Sequence, residues 1–335
     1  MNDNSKSVWV IADQENCNLL PVTPQLVGKA RSLADALEAS VEVVLLGNGV
    51  EAQADNLFGA GADRVYLGND PELANYHPDV YTDIIVGLAE VHEPQIVLLG
   101  STSMGRELAP LVAARLETGL TAHCIDLCIN SDKILEQVIP AYGGEITIVC
   151  PERKPQMATV AQGVFPLPVP DEGRSGEIVP VEGPFQDTGR VEILEVVMEA
   201  PEGIPLDSAT CVLAGGAGAG DHNGWDLIAQ LSKELSAGLG CTRPAVDEGW
   251  AELETMIGQS GKMASPEIYL GIGLSGEQQH MVGIAGAKIM IAINSDKKSP
   301  VFDQVDYGIV DDCRGFVPVL LEKIRQYKEK QVSCR

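Results

Sequence analysis

Short runs of aliphatic, often β-branched residues recur along this chain, and helical spacing follows each of them. A run apolar at every position is buried on both sides, and helices covering both faces of a parallel sheet supply that burial. Val8 to Ala12 is the first such run. Pro24 to Ala39 follows it, with Leu26, Val27, Ala30, Leu33, Ala34 and Leu37 on one side of a helix. Val41 to Leu46, Arg64 to Leu67 and Ile96 to Gly100 read as further strands, with helices over Val50 to Leu57 and Tyr76 to Val91 between them. This alternation predicts an α/β domain built on a mostly parallel, doubly wound sheet. Runs at Ile134 to Ile139, Ile146 to Cys150 and Ala158 to Val160 are expected to extend that sheet.

A chain of 335 residues exceeds the usual size of one domain, so two are expected. Pro166 to Gly176 is dense in proline and glycine and marks a surface crossing. Val191 to Val197 alternates like a half-exposed strand, and Pro201 to Pro205 breaks the pattern. The boundary is therefore expected near residues 198–206, with an N-terminal α/β domain over 1–200 and a second, Rossmann-like domain over 201–335. In the second domain Thr210 to Leu213, Ile268 to Gly273, Ile289 to Ile293 and Gly308 to Val310 read as strands. Asn223 to Ser236, His280 to Ala285 and Gly315 to Lys330 read as helices.

Composition excludes several function classes. The chain carries 23 basic against 48 acidic residues, a formal net charge of -25, which repels phosphate backbones and anionic membrane surfaces. Aromatics make up only 4%, too few for base-stacking platforms. No nucleic-acid partner is expected. None of the eight cysteines forms a C-x-x-C pair, so no metal site is expected and reduced thiols fit best. No apolar run reaches membrane-spanning length, so the chain is not expected to be membrane-embedded. Residues 1–7 are polar and lack signal-peptide character, which makes a prokaryotic cytoplasm the default; an organellar chain stripped of its presequence would look the same.

The chemistry concentrates in glycine-rich segments after likely strands. Gly100 to Arg106 opens a helix and reads either as an anion site or as helix capping by Ser101, Thr102 or Ser103. Gly215 to Gly220 stands between a strand and a helix, where backbone amides can meet a pyrophosphate, although a tight turn explains the glycines equally well. Four further loops follow: Gly240 to Trp250, Ile257 to Lys262, Gly273 to His280 and Ala292 to Asp296, before the closing segment Asp306 to Asp312. Ligands of open α/β sheets bind at the carboxyl ends of the strands. These loops offer small polar groups and backbone donors, with no nucleophile–base pair and no metal cluster. That chemistry suits holding a cofactor that brings its own reactivity. Arg243 is the notable cation; a guanidinium beside a redox cofactor favours its anionic forms, while the bland alternative is a surface ion pair. For His280 the bland alternative is a capping or satisfied core histidine.

Five ordered motifs carry a family resemblance along nearly the whole chain. They are Gly100-Ser101-Thr102 with Gly105-Arg106, Arg153 to Val160, Gly258-Gln259-Ser260-Gly261-Lys262, Ser275-Gly276-Glu277-Gln278-Gln279-His280, and Asp306-Tyr307-Gly308-Ile309-Val310. Together they resemble electron transfer flavoprotein alpha subunits. The resemblance implies FAD bound in the second domain and carriage of electrons without a substrate of the chain's own. It implies an electron transfer flavoprotein beta subunit as partner. Acyl-CoA dehydrogenase or a similar flavin dehydrogenase, and ferredoxin or NADH through the complex, are the implied exchange partners.

The resemblance also implies roles for residues. Arg243 matches an arginine by the flavin ring, Thr242 a phosphate contact, Ser260 a hydroxyl near flavin N5 and Gln259 a flavin contact. Ser275, Gly276, Gln279 and His280 match the loop at the phosphates and ring, with His280 near the pyrimidine edge. Asn294 and Asp312 match contacts on the adenosine side; Ile257, Gly258, Glu277, Gln278 and Cys313 complete the expected cofactor-binding set. The chain departs from the family at Ala217, where an arginine is usual, at Glu277 and Gln278, where small or apolar residues are usual, and at Ser260 in place of threonine. The alternatives are a nicotinamide-dependent oxidoreductase and a non-catalytic nucleotide-binding subunit.

Overall fold

Along the strand Ser7–Ile11 the side chains divide between two cores. Val8 and Val10 join Leu26, Leu33 and Leu57 on one face of the sheet, whereas Trp9 and Ile11 join Tyr66, Ile85 and Leu108 on the other. The two-residue period of a strand thus feeds two helical layers. The computed structural model describes residues 6–141, 144–185, 193–197, 203–206 and 209–333, and the chain divides into two compact units between Val196 and Val197.

The N-terminal unit is built on a seven-stranded parallel sheet, in the order Glu177–Pro180, Arg64–Asn69, Ser40–Gly47, Ser7–Ile11, Ile96–Gly100, Gln156–Val160 and Leu120–Cys124. The helix Val22–Leu37 buries the apolar face read from its spacing, and Gln53–Ala60, Pro78–His92 and Ser103–Arg115 supply the other helices. A carboxylate lies inside this unit: Glu42 is 3% exposed and accepts from Trp9 Nε1, Tyr66 O–H and Arg64 Nη1, each at 2.9 Å.

The structure corrects one expectation here. Of the runs between residues 134 and 160, only Gln156–Val160 joins the large sheet. Leu135–Ala141 and Gly144–Val149 pair antiparallel with each other, and with Asp126–Ile129 they make a separate three-stranded sheet. The strand Gly144–Val149 is largely solvent-exposed, which a place inside a sheet covered on both faces would not allow. The strand expected over Val191 to Val197 falls partly outside the described residues, and residues 193–197 form no strand.

The C-terminal unit holds a five-stranded parallel sheet, in the order Gly238–Cys241, Cys211–Gly215, Ile268–Ile272, Ile289–Asn294 and Tyr307–Val310. His222–Leu235 and Cys313–Ser333 cover one face through Trp225, Ile228, Leu231, Val317 and Leu321. Ile257, Met281 and Ile284 pack on the other face. The chain first steps from Cys211–Gly215 to Gly238–Cys241, then returns to the opposite neighbour, Ile268–Ile272. That reversal opens a crevice at the carboxyl ends of these strands.

Candidate functional site

A cleft of about 660 Å³ occupies that crevice, within the size range of cofactor sites. Every strand of the sheet delivers a loop to it. Gly218 follows the first strand of the unit, Thr242 and Arg243 the second, Ser275 to Glu277 the third, Asp296 the fourth, and Asp311 and Asp312 the last. Two of these loops touch backbone to backbone: a Cβ on Gly218 would stand 2.6 Å from Gly273 Cα, so only glycine allows the approach.

Four amides of the glycine run Gly215 to Gly220 bond within the run or to its neighbouring loop, and that of Ala217 meets no protein acceptor among the described residues. The amides of Gly216 and Gly218 bond to the carbonyls of Ile272 and Gly273, and those of Ala219 and Gly220 to Gly216 and Ala217. The tight-turn reading therefore describes this loop. Asp221 then caps the helix by accepting from Gly224 N at 2.9 Å.

The open donors lie one strand away. The carbonyl of Leu274 accepts from Asn294 Nδ2 at 2.8 Å, that of Ser275 from Ser299 Oγ at 3.2 Å, and that of Gly276 from Gln304 Nε2 at 2.7 Å. A trans peptide sets its N–H opposite its C=O. The amides of Ser275, Gly276 and Glu277 stand opposite these three held carbonyls and meet no protein acceptor among the described residues. Successive outward amides form an anion-binding nest. Asn294 contributes as scaffold: its Nδ2 also reaches Ser299 Oγ at 3.1 Å and its Oδ1 accepts from Asp296 N at 2.8 Å.

Among the described residues lining the cleft, Arg243 is the one cation, set against Glu277, Asp296, Asp311 and Asp312. Its side chain is 66% exposed and Nε donates to Asp247 at 2.7 Å, one helical turn on. That pairing raises the pKa of Arg243, so the guanidinium stays charged. The surface-pair alternative and the cleft position hold together. Asp312 accepts from Arg314 N at 2.9 Å at the start of the helix Cys313–Ser333, and Cys313 Sγ donates to Gly218 O at 3.1 Å.

His280 is 6% exposed and bonded at both ring nitrogens, to Tyr269 O–H at 2.7 Å and to the Ile257 carbonyl at 3.0 Å. Burial pushes its pKa down to about 4, leaving it neutral near pH 7. It is a satisfied core histidine at the cleft wall. A nicotinamide oxidoreductase would need it for proton transfer, and neither nitrogen is spare.

Of the expected cofactor-binding residues, Thr242, Arg243, Ile257, Gly258, Ser260, Ser275, Gly276, Glu277, Gln279, His280, Asn294, Asp312 and Cys313 line the cleft. Gln259 and Gln278 do not: both are exposed, and the amide of Gln259 bonds to the Gln279 carbonyl. The sequence reading missed Ser299 and Gln304, whose roles depend on carbonyls more than twenty residues away.

The segment Gly100 to Arg106 proves to be a capped helix start. Thr102 accepts from Gly105 N at 3.0 Å and donates to the carboxylate of Asp13. Asp13, 5% exposed and with its pKa raised by burial, thus takes the Thr102 hydroxyl as the chain's own acceptor. A Cβ on Gly100 would meet Val22 at 2.8 Å, so Val22 packs directly against this turn.

Two family models match the sequence. The electron transfer flavoprotein domain covers residues 8–185, and the electron transfer flavoprotein FAD-binding domain covers residues 205–285. The chain is 38% identical to the electron transfer flavoprotein subunit alpha of Thermoanaerobacterium thermosaccharolyticum, over 98% of this chain and 100% of the relative. It is 38% identical to protein FixB of Clostridium saccharobutylicum, over 96% and 97% of the two chains. It is 35% identical to the electron transfer flavoprotein subunit alpha of Megasphaera elsdenii, over the same shares.

Proposed function

The chain belongs to the electron transfer flavoprotein alpha subunit family, and we propose that the cleft of its C-terminal unit is where it holds FAD. It acts as an electron transfer flavoprotein alpha subunit, with a beta subunit as partner. Bound FAD supplies reversible one- and two-electron chemistry, and the protein supplies orientation and electrostatics.

The observation that carries this reading is the row of unpartnered amides at Ser275, Gly276 and Glu277, opposite carbonyls held by Asn294, Ser299 and Gln304. An uncharged donor nest suits a pyrophosphate in a chain whose other cleft charges are mostly acidic. Arg243 and Ser260 stand with the ring end of the cofactor in this assignment, and Asp296, Asp311 and Asp312 with the adenosine end. Carboxylates accept hydrogen bonds from ribose hydroxyls. Thr242 and Gly218 border the phosphates, and Ile257 with Met256 supplies apolar wall. In the same proposal residues 201–335 form the FAD-binding domain and residues 1–200 the N-terminal α/β domain.

The finer partners belong to the proposal as well. Electrons enter from an acyl-CoA dehydrogenase or a similar flavin dehydrogenase, with ferredoxin or NADH exchanging through the complex, in the cytoplasm. No helix among the described residues is long and apolar enough to cross a membrane.

The test is co-expression with the beta subunit, purification and extraction of cofactors, counting FAD and AMP per heterodimer. FAD lost when the loop's supports are removed, through Asn294→Ala or Gln304→Ala, supports the assignment. A colourless complex that takes up no FAD after reconstitution would sink it.

A further inference from the structure

Tyr269 has no exposed surface, and His280, which it meets at 2.7 Å, is 6% exposed. The proton positions in this pair follow from one carbonyl. Ile257 O can only accept, so Nδ1 of His280 carries the hydrogen of the 3.0 Å contact between them. A neutral imidazole has a single ring hydrogen, so Nε2 is bare and accepts from the phenol of Tyr269. Burial raises the pKa of Tyr269, which keeps the phenol protonated and able to donate.

This relay joins two loops of the cleft. Ile257, Gly258 and Ser260 line it from one turn; Glu277, Gln279 and His280 line it from another. The turns are also tied by Gln259 N to Gln279 O at 2.7 Å. They approach so closely that a Cβ on Gly258, whose φ is +143°, would stand 2.3 Å from Gln279 O. Tyr269 lies within the strand Ile268–Ile272 and reaches this junction from the sheet.

Resting on the reading of this cleft as the FAD site, we propose that Tyr269 is a positioning residue: its phenol holds the His280 ring as a strut that locks the turn 257–262 to the turn 277–281. His280 then acts on the cofactor through loop geometry, and its ring hydrogen stays with Ile257. Without the phenol, Nε2 becomes a buried acceptor with no partner and the ring keeps a single anchor.

The titratable neighbours of His280 are few. Tyr269 contacts it from the neighbouring strand, and Glu277 meets it from its own turn through the backbone bond from His280 N. Removing the phenol removes a donor that favours the neutral imidazole, so the titration of His280 moves upward.

The experiment labels histidine with ¹⁵N in the full chain, together with its beta subunit, and reads the ring nitrogens by NMR, using His280→Gln for assignment. The wild-type chain is expected to show a protonated Nδ1 and a bare Nε2 at His280. In Tyr269→Phe the His280 midpoint is expected to rise by about one pH unit, and the Kd for FAD to rise about tenfold. A protonated Nε2 in the wild-type chain overturns the proposal without any variant. So does a Tyr269→Phe complex with unchanged midpoint and unchanged Kd. A wild-type complex that takes no FAD sinks the cofactor reading instead, and the tautomer still decides the Tyr269–His280 link.

Discussion

Asn294 holds the carbonyl of Leu274 at 2.8 Å across a separation of twenty residues. It is the first of three side chains that hold successive carbonyls of the loop whose opposite amides are left without a protein acceptor. Asn294→Ala removes this prop and leaves Ser299 Oγ short of a donor. FAD affinity of the apo-heterodimer is expected to fall about tenfold, the scale of one lost buried hydrogen bond. Calorimetric titration with FAD checks it, and an unchanged Kd would show that the loop holds its shape without Asn294.

Arg243 and Asp247 form an exposed pair at the cleft mouth, so their charges partly offset one another. Arg243→Ala is expected to lower the flavin midpoint potential, because a cation that favours the reduced anion is gone. Asp247→Asn should move the potential the other way. Redox titration of both variants is decisive through the opposite signs; shifts of the same sign would exclude a through-space charge effect.

Glu277 lines the same cleft and begins the turn Gln278–Met281. Its carboxylate disfavours negative charge on a reduced cofactor. Glu277→Gln is therefore expected to raise the midpoint potential, more at low ionic strength than at high, since salt screens an exposed charge. A potential indifferent to the substitution would place this carboxylate out of reach of the ring.

His280 makes stability depend on pH. Its folded-state pKa, about 4, lies below the ordinary histidine value, so the unfolded chain binds more protons between about pH 4 and 6.5. Stability contributed by the neutral ring is present above about pH 6.5 and is lost as pH falls, by about 3 kcal/mol once pH 4 is passed. His123, also lowered by burial, acts in the same direction, and Asp13, raised by burial, acts in the opposite one. The difference between wild-type and His280→Gln in urea unfolding at pH 7 and pH 4.5 isolates the His280 share. Parallel losses in both would assign the effect elsewhere.

Glu42 gives a control in the N-terminal unit. Glu42→Ala leaves Trp9, Tyr66 and Arg64 facing a buried gap. A loss of about 3 kcal/mol is expected from denaturant unfolding, the cost of stripping one partner from a buried ionic network. A loss below 1 kcal/mol, on the order of a surface substitution, would show that water or Arg64 repairs the site.

The elements were legible where the signal is local. Val22–Leu37 and His222–Leu235 appear within two residues of their apolar spacing, because an amphipathic helix carries its own periodicity. Leu135–Ala141 and Gly144–Val149 were placed in the wrong sheet, because strand runs state a tendency to extend and not a partner. The same limit applied to polar groups: Thr102 was open between capping and ligand until Asp13, distant in sequence, proved to accept its hydroxyl.

By itself the sequence determined that this is an α/β chain whose polar, glycine-rich loops gather at the carboxyl ends of its second sheet. Most of the loops from Thr242 to Asp312 follow strands that all run parallel, and that shared direction carried them to one edge. The tertiary structure alone decided what those residues do there. It made Asn294 a prop, His280 a buried strut under Tyr269, and the glycine run a tight turn, while Ser275 to Glu277 became a row of open donors. The reason is physical: a donor's role is set by the acceptor it reaches, and those acceptors lie on neighbouring turns that only the folded sheet brings within 3 Å.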